Sequence, residues 1–563
     1  MMEERFWHRH YDPKVPPSLD YPKVPLQQFL DDSAAKFPDR VAITFLGKQI
    51  TYGELLGYCN AFARGLADMG VRKGARVALY LPNVPQMIIA YYGVLKAGAI
   101  CVPTNPLYTE RELSYQVKDS GAKVLVTLDL ELTLSKVKAV KDTVGLEKVI
   151  VGRVSDYLPF PKSLLYPLAK RRDLAGIPAD GGYVRFRDLV DGDHSAPPEV
   201  KVEPEDTAAL MYTGGTTGVS KGAVLTHSNI VANTYHFFCW ASAGEMHDTP
   251  QDSIMAVLPL FHTFGMTICM HSSILWGGRL ILFPTRPKPD VSDLLEMVRD
   301  EQPDYLPGVP ALYTAIANNP RAKEYKIDCI QGCMSGAAPL PVEVLQKFEA
   351  MTGGKIFEGY GLSETSPVAA ANPRLGLRKP GSVGLPFIDT EIRIVDQTTG
   401  ETDMPLGESG EILIKGPQVM KGYWNRPEET RAALREGWFY TGDIGRMDED
   451  GYVFIVDRKK DMVITGGFNV YPRDVEEVLY EHPKVLEAGV IGVPDERSGE
   501  RVKAFVVLKE GQSATEEEII EFCRTKLTAY KVPKYVEFRK ELPKNNVGKL
   551  LRRVLREEHG GAR

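Results

Sequence analysis

Between Ala75 and Thr127, short apolar runs alternate with longer segments of helical period, and this alternation limits the fold more than any other feature of the chain. "ARVALYLPN" reads as a buried strand, "VPQMIIAYYGVLKAG" as a helix, "AICVPTNP" as a strand, "ERELSYQVKDSG" as a helix and "AKVLVT" as a strand. Strands that are apolar throughout, separated by helices, are those of a parallel sheet with crossover helices. The pattern returns in "SIMAVLPL", "GGRLILFP", "SDLLEMVRDEQP" and "DYLPGVPALYTAIANN". Ahead of it, "VPLQQFLDDSAAKFPDR" reads as an amphipathic helix and "VAITFLGKQITYGEL" as a β-hairpin leading into another helix. From about Gly381 the segments turn β-rich, in "TEIRIVD", "GEILIKGP" and "GYVFIVD". A final section, from "RDVEEVLYEHP" to "KYVEFRKELP", has the makings of a compact α+β unit. The expected class is α/β: a large N-terminal domain of α/β subdomains plus a β-rich subdomain, then a small mobile α+β domain. The charged "DRKKD", Asp457–Asp461, marks the boundary, giving domains 1–457 and 458–563 with a hinge at 457–461.

A chain of 563 residues is too long for one hydrophobic core. With 43% hydrophobic and 25% charged residues it has the composition of a soluble globular protein, and a net charge of −6 gives no basis for binding nucleic acid, so the expected partner is small. Seven cysteines, scattered and mostly in apolar runs, argue against a disulfide framework or a zinc site and fit a reducing cytoplasm. The opening "MMEERFWHRHYDPKVPPSLDYP" has no apolar signal core, and no apolar run is long enough to span a bilayer, so any membrane contact is peripheral.

Chemistry concentrates first in "MYTGGTTGVSKGAVLTH", Met211–His227. The Walker A pattern fails here, because Lys221 follows Ser220 rather than glycine and precedes Gly222, and because "AVLTH" reads as a strand rather than a helix. What remains is a glycine-rich hairpin-like loop. Its backbone N–H groups, the hydroxyls of Thr213, Thr216, Thr217 and Ser220, and the charge of Lys221 suit a polyphosphate. An ordinary Gly/Thr turn is the competing reading.

Glycine, hydroxyl and charge recur together in "LPLFHTFGM", "SGAAPL", "EGYGLSETSP", "GWFYTGDIG", "DRKKDMVITGGFNVYP" and "PKNNVGKLLRR". With the loop, these stretches resemble, in order, the motif set of the adenylate-forming superfamily of acyl-CoA synthetases, luciferases and nonribosomal peptide synthetase adenylation domains. The resemblance runs from about Thr51 almost to the C-terminus and is strongest to medium- and long-chain fatty acyl-CoA synthetases. It implies adenylation of a carboxylic acid by ATP with magnesium, then transfer of the acyl group to coenzyme A. It assigns Thr213, Gly214, Gly215, Thr216, Thr217 and Lys221 to the β- and γ-phosphates, and Glu364 to magnesium, with Thr213 or Thr365 as oxygen partners. Gly336, Ala337, Ala338, Glu358, Gly359, Tyr360 and Gly361 would enclose adenine. Asp443, with Ile455 and Arg458 from the domain junction, would hold the ribose. Lys549 would bridge carboxylate and α-phosphate, Lys460 would be the hinge, and Gly466 and Gly467 would line the pantetheine tunnel.

The resemblance places His262 near the carboxylate end of the acyl pocket, and "YHFFCW", Tyr235–Trp240, along its wall or gate; for each, a packed core position is the alternative. "DYLPFPKSLLYPLAKRR", Asp156–Arg172, is apolar then basic and could rest on an anionic membrane, although Pro159, Pro161 and Pro167 argue against a continuous helix. The chain ends soon after Lys549, so no carrier-protein domain is expected. Alternatives left open are an aryl-CoA or other carboxylate–CoA ligase of the same superfamily, and a catalytically silent acyl- or nucleotide-binding protein.

Overall fold

The computed structural model describes residues 5–213, 220–245, 252–284, 291–338, 340–459, 461–465, 468–495, 499–545 and 550–559. The alternation at residues 75–127 builds the centre of an eight-stranded sheet. Strands Ile100–Pro103, Arg76–Leu79, Val124–Leu128 and Lys148–Gly152 run parallel, with Val77 opposite both Cys101 and Val124. Parallel neighbours need a crossover, and helices supply it. Helix Pro85–Lys96 has all twelve residues buried, as a helix apolar on every side must. Helix Glu110–Ser120 starts at Thr109, whose hydroxyl accepts the Glu112 N–H while the Glu112 carboxylate accepts the Thr109 N–H.

At one edge the sheet reverses direction. Thr207–Thr213 runs parallel to Ile100–Pro103, then Lys221–Thr226 returns antiparallel, setting Tyr212 opposite Gly222 and Thr213 opposite Lys221. The two-residue strand Gly422–Tyr423 pairs outside it. The strands on either side of the glycine-rich segment therefore pair as a hairpin, and because a strand rather than a helix follows Lys221 the rejection of the Walker geometry stands.

A second sheet orders Ser253–Ala256, Arg279–Leu282, Val41–Phe45 and Lys48–Thr51, and a third orders Gly332–Ser335, Lys355–Gly361, Val368–Ala371 and Leu385–Pro386. Single bridges from Tyr305 to Ile254 and to Gly332 link the two. The β-rich section forms an antiparallel sheet of Glu391–Val395, Gly410–Lys415, Trp438–Met447 and Val453–Arg458. Beyond it, Val463–Thr465, Phe468–Val470, Val485–Asp495, Gly499–Leu508 and Tyr535–Phe538 form a separate sheet. That sheet and helices Pro472–Tyr480 and Glu516–Arg524 enclose a core of their own, with Val475, Leu479, Val490, Val506 and Ile519 in it. A large α/β region followed by a small α+β domain is the architecture expected from the sequence.

Helix His227–Ala241 buries His236, Phe237, Cys239 and Trp240 and leaves Tyr235 and Phe238 half-buried, so most of "YHFFCW" is core packing. Trp240 Nε1 donates to the Asn372 carbonyl at 2.9 Å. Over 156–172 a helix does form, but only as Lys162–Ala169: Pro161 serves as its N-cap, where a missing N–H is harmless, and Pro167 lies inside its last turns. All seven cysteines carry free thiols. Among the described residues no helix is long and apolar enough to cross a membrane.

Candidate active site

The hairpin brings its functional groups to one end by register. Thr213 and Lys221 face each other across the mouth of the loop, where Ser220 Oγ donates to the Thr213 carbonyl at 2.5 Å. Tyr115 Oη donates to the Ser220 carbonyl at 2.7 Å, tying the hairpin to the helix beside it. Lys221 Nζ sits 5.2 Å from the centroid of the Tyr423 ring, a cation–π distance. A cavity of about 410 Å³ opens here, and Lys221, Tyr423, Glu411, Thr441, Gly442 and Lys459 are among the residues that line it.

Tyr423 also connects to Glu364. Its hydroxyl donates to Glu364 Oε1 at 2.8 Å. Glu364 lies in the short 3-10 turn Ser363–Thr365 and is 8% exposed. Burial raises its carboxyl above the ordinary range, while the Tyr423 hydrogen bond and the charge of Arg458 pull the other way. The donor set fits a magnesium ion that takes one protein carboxylate and fills its remaining positions with phosphate oxygens and water. Thr213 keeps its hydroxyl half-buried at the loop mouth, 3.5 Å from the Lys221 carbonyl. Thr365 is fully buried, its hydroxyl turned toward the carbonyls of Leu362 and Pro367 and accepting the Leu362 N–H at 2.9 Å, so Thr213 is the better placed of the two expected oxygen partners.

Tyr360, Asp443 and Arg458 form a second constellation. Tyr360 Oη donates to Asp443 Oδ2 at 2.7 Å, and Arg458 Nε lies 3.1 Å from Asp443 Oδ1. Asp443 and Arg458 are cross-strand partners in the β-rich sheet, so the pairing of Trp438–Met447 with Val453–Arg458 sets this ion pair. Asp443 is nearly buried, and both its oxygens are held in place before any ligand arrives. Because Arg458 and Asp443 both act on the Glu364 carboxyl, the two constellations share one electrostatic environment.

The small residues around Tyr360 have a steric reason beyond space for a ligand. A Cβ on Gly361 would lie 1.8 Å from the Pro367 carbonyl oxygen, and one on Gly359 would lie 2.2 Å from Met334 Cε. Ala337, beside Gly336 and Ala338, holds φ at +70°, a left-handed conformation that costs a non-glycine residue on the order of 1 kcal/mol. Glu358, opposite Ser335 in register, is buried, and its carboxyl is pushed up to about 7, with Arg473 opposing the shift. His262 is half-buried and accepts the Phe264 N–H on Nδ1 at 3.3 Å. Phe264 in turn lies against Gly336, so His262 is joined to the Gly336 turn through one aromatic ring.

At the domain junction, Ile455 presents its carbonyl to Arg473 Nη1 at 2.5 Å, and Asp457 Oδ2 accepts the Arg473 N–H at 2.9 Å in the first turn of helix Pro472–Tyr480. On the far side of the linker, Asp461 Oδ1 accepts from Arg556 Nη1 at 2.8 Å. Gly214, Gly215, Thr216, Thr217, Lys460, Gly466, Gly467 and Lys549 lie outside the described residues. Sequence reasoning missed Tyr423, which no motif spacing ties to Glu364, and missed the pairing of Lys459 with Glu411 at 2.9 Å. It also missed Arg473.

A large α/β domain with this glycine-bearing hairpin at its sheet edge, followed by a small α+β domain joined at Asp457 and Arg473, is the fold of the adenylate-forming enzymes. The chain belongs to the AMP-binding enzyme family, whose model matches residues 30–424, and the AMP-binding enzyme C-terminal domain matches residues 474–549. It is 47% identical to a long-chain-fatty-acid–CoA ligase of Bacillus subtilis (strain 168) over 99% of both chains. Among solved structures, ATP-bound MatB from Rhodopseudomonas palustris superposes with a TM-score of 0.82 at 33% identity, over 95% of this chain and 99% of that one. The anthranilate CoA ligase AuaEII in complex with anthranoyl-AMP gives 0.84 at 27% identity, over 96% and 98%.

Proposed function

We propose that the protein is a cytoplasmic AMP-forming fatty acyl-CoA ligase, taking a medium- or long-chain fatty acid, ATP and coenzyme A to acyl-CoA, AMP and pyrophosphate. The observation that carries this reading is the gathering of Lys221, Glu364, Asp443 and Arg458 into one environment, in a chain that matches a named long-chain-fatty-acid–CoA ligase from end to end.

A carboxylate resists nucleophiles because it is already negative and would have to expel oxide. In the first step its oxygen attacks the α-phosphorus of ATP, the bond from that phosphorus to the bridging oxygen breaks, and pyrophosphate leaves. In the second the sulfur of coenzyme A attacks the acyl carbon, the carbon–oxygen bond to AMP breaks, and the thiol proton passes to solvent. The first transition state gathers negative charge on phosphate, so fixed cations and donors matter most there. Lys221 and the hairpin hold the departing pyrophosphate. Asp443 accepts from the ribose hydroxyls, oriented for this by Arg458. Tyr360 and the Gly336–Ala338 turn pack the base, and His262 lies toward the acid. Magnesium, when bound to the triphosphate, offsets its charge, and Glu364 with Thr213 are the residues we assign to hold it.

Lys549 bridges the carboxylate and α-phosphate in the first step, and rotation about Lys460 replaces it with the thiol path for the second. The domains so defined, 1–457 and 458–563, require the contacts of Arg473 with Ile455 and Asp457 to break on rotation, whereas those of Asp461 with Arg556 travel with the small domain. Pyrophosphate release, followed across straight-chain acids of rising length and an aromatic acid, with and without coenzyme A, tests the assignment. Alkyl acids should drive release, and AMP should accompany it. ADP and orthophosphate in their place would contradict it.

A further inference from the structure

Helix Lys162–Ala169 is built inside out. Leu164, Leu165 and Leu168 are 66%, 55% and 75% exposed, while Ser163 and Tyr166 lie against the body of the protein, and Tyr166 packs on the main core. Phe160, just ahead of the helix, is 79% exposed, and with Leu164 and Leu168 it continues one row at intervals of four residues. Phe160 and Leu168 are the two most exposed large apolar side chains among the described residues. The preceding Tyr157 and Leu158 are buried, so the segment is anchored at its root and turns outward from there. Exposed lysines and arginines frame the apolar row: Lys162 at the start of the helix, then Lys170, Arg171 and Arg172 at its end, with Asp173 the acidic residue beside them.

We infer that this helix docks the protein on an anionic phospholipid surface, with Phe160, Leu164, Leu165 and Leu168 entering the boundary between headgroups and acyl chains and the four basic side chains meeting lipid phosphates. An apolar row framed by cations is what an interfacial helix presents to such a surface. Each cation near an anionic leaflet strengthens partitioning by roughly fivefold. Charge also argues against a second copy of this chain as the occupant, because a twofold pairing of the face would bring the two basic ends of the helices into the same interface. The inference deepens the proposed function by naming where a poorly soluble fatty acid is collected, yet its test needs no turnover.

Co-sedimentation of the full chain with vesicles of phosphatidylcholine and phosphatidylglycerol in equal parts, compared with phosphatidylcholine alone, decides it. Binding should favour the anionic vesicles and weaken with added salt. L164E/L168E should lose at least about tenfold in binding, since both changes fall on the face that enters the lipid. K170E/R171E/R172E should lose the preference for anionic vesicles. Both sites are exposed, so thermal midpoints equal to wild type are expected and show that the variants are folded. Binding that is equal for wild type and L164E/L168E would overturn the proposal. So would failure to bind anionic vesicles, and so would a dimer in sedimentation velocity that these changes dissociate without any vesicle binding.

Discussion

Tyr423 donates its hydroxyl to Glu364 Oε1 at 2.8 Å while its ring lies under Lys221 Nζ. One side chain thereby sets the distance between the cation of the glycine-rich hairpin and the carboxylate assigned to magnesium. Tyr423→Phe keeps the ring and removes only the donor. A hydrogen bond to a charged group contributes about 1.5 kcal/mol or more, so pyrophosphate release should fall roughly tenfold, with a higher magnesium concentration needed for half-saturation. Magnesium dependence unchanged from wild type would remove Tyr423 from the positioning role.

Asp443 and Arg458 provide a test that separates stability from binding. Asp443→Ala leaves a half-buried guanidinium without its partner 3.1 Å away and should lower stability by about 2 kcal/mol, less than for a fully buried pair. Adding Arg458→Met removes the stranded charge and should restore most of the thermal midpoint. ATP affinity should stay poor in the double variant, because the acceptor we assign to the ribose is still missing. Recovery of ATP affinity together with stability would assign Asp443 a purely structural part.

Three buried histidines should each lower stability in acid. Burial lowers His227 to about 4, and His236 and His271 to about 3, all below the 6.5 of the unfolded chain. The unfolded state therefore binds more protons as pH falls, so the stability they contribute is present above about 6.5 and is lost progressively toward pH 3. His271 accepts or donates on Nδ1 with Tyr92 Oη at 2.9 Å inside the core. His271→Gln should flatten the fall of the thermal midpoint between pH 6.5 and 4. A slope identical to wild type would show that His271 is not among the groups responsible.

Lys549→Ala should divide the reaction. Loss of a charged donor assigned to the first transition state alone should cost on the order of 3 kcal/mol, or about a hundredfold in rate. Synthetic acyl-adenylate offered with coenzyme A should still be converted at close to the wild-type rate. Equal loss in both assays, with circular dichroism unchanged, would refute this division of labour.

Much of the fold is legible in the sequence. The parallel strands around Val77 are apolar throughout because both faces are covered, and that pattern is local. The hairpin followed from Gly222 and the strand-like "AVLTH". Tyr423 was not legible, because it reaches Glu364 only when Gly422–Tyr423 pairs with Lys221–Thr226, some two hundred residues earlier in the chain. Nor was the commitment of the Thr365 hydroxyl to backbone carbonyls, since Ser-Glu-Thr reads the same whether its threonine faces a metal or the core. The glycines of "EGYGL" were expected only as part of the adenine enclosure, and at Gly361 it is the Pro367 backbone that leaves no space for a Cβ. The expected break came true only in part: Pro161 falls at the N-cap, where it starts the helix at Lys162–Ala169, and Pro167 sits inside it two residues before its end.

Attack of the carboxylate oxygen on the α-phosphorus is the step that defines the proposed reaction. A fatty acid labelled with ¹⁸O in its carboxylate, incubated with the protein, ATP, magnesium and coenzyme A, reports this by mass spectrometry of the products. One labelled oxygen should appear in AMP, the other should remain in the acyl-CoA carbonyl, and pyrophosphate should be unlabelled. Label in orthophosphate with ADP formed, or AMP without label, would contradict it.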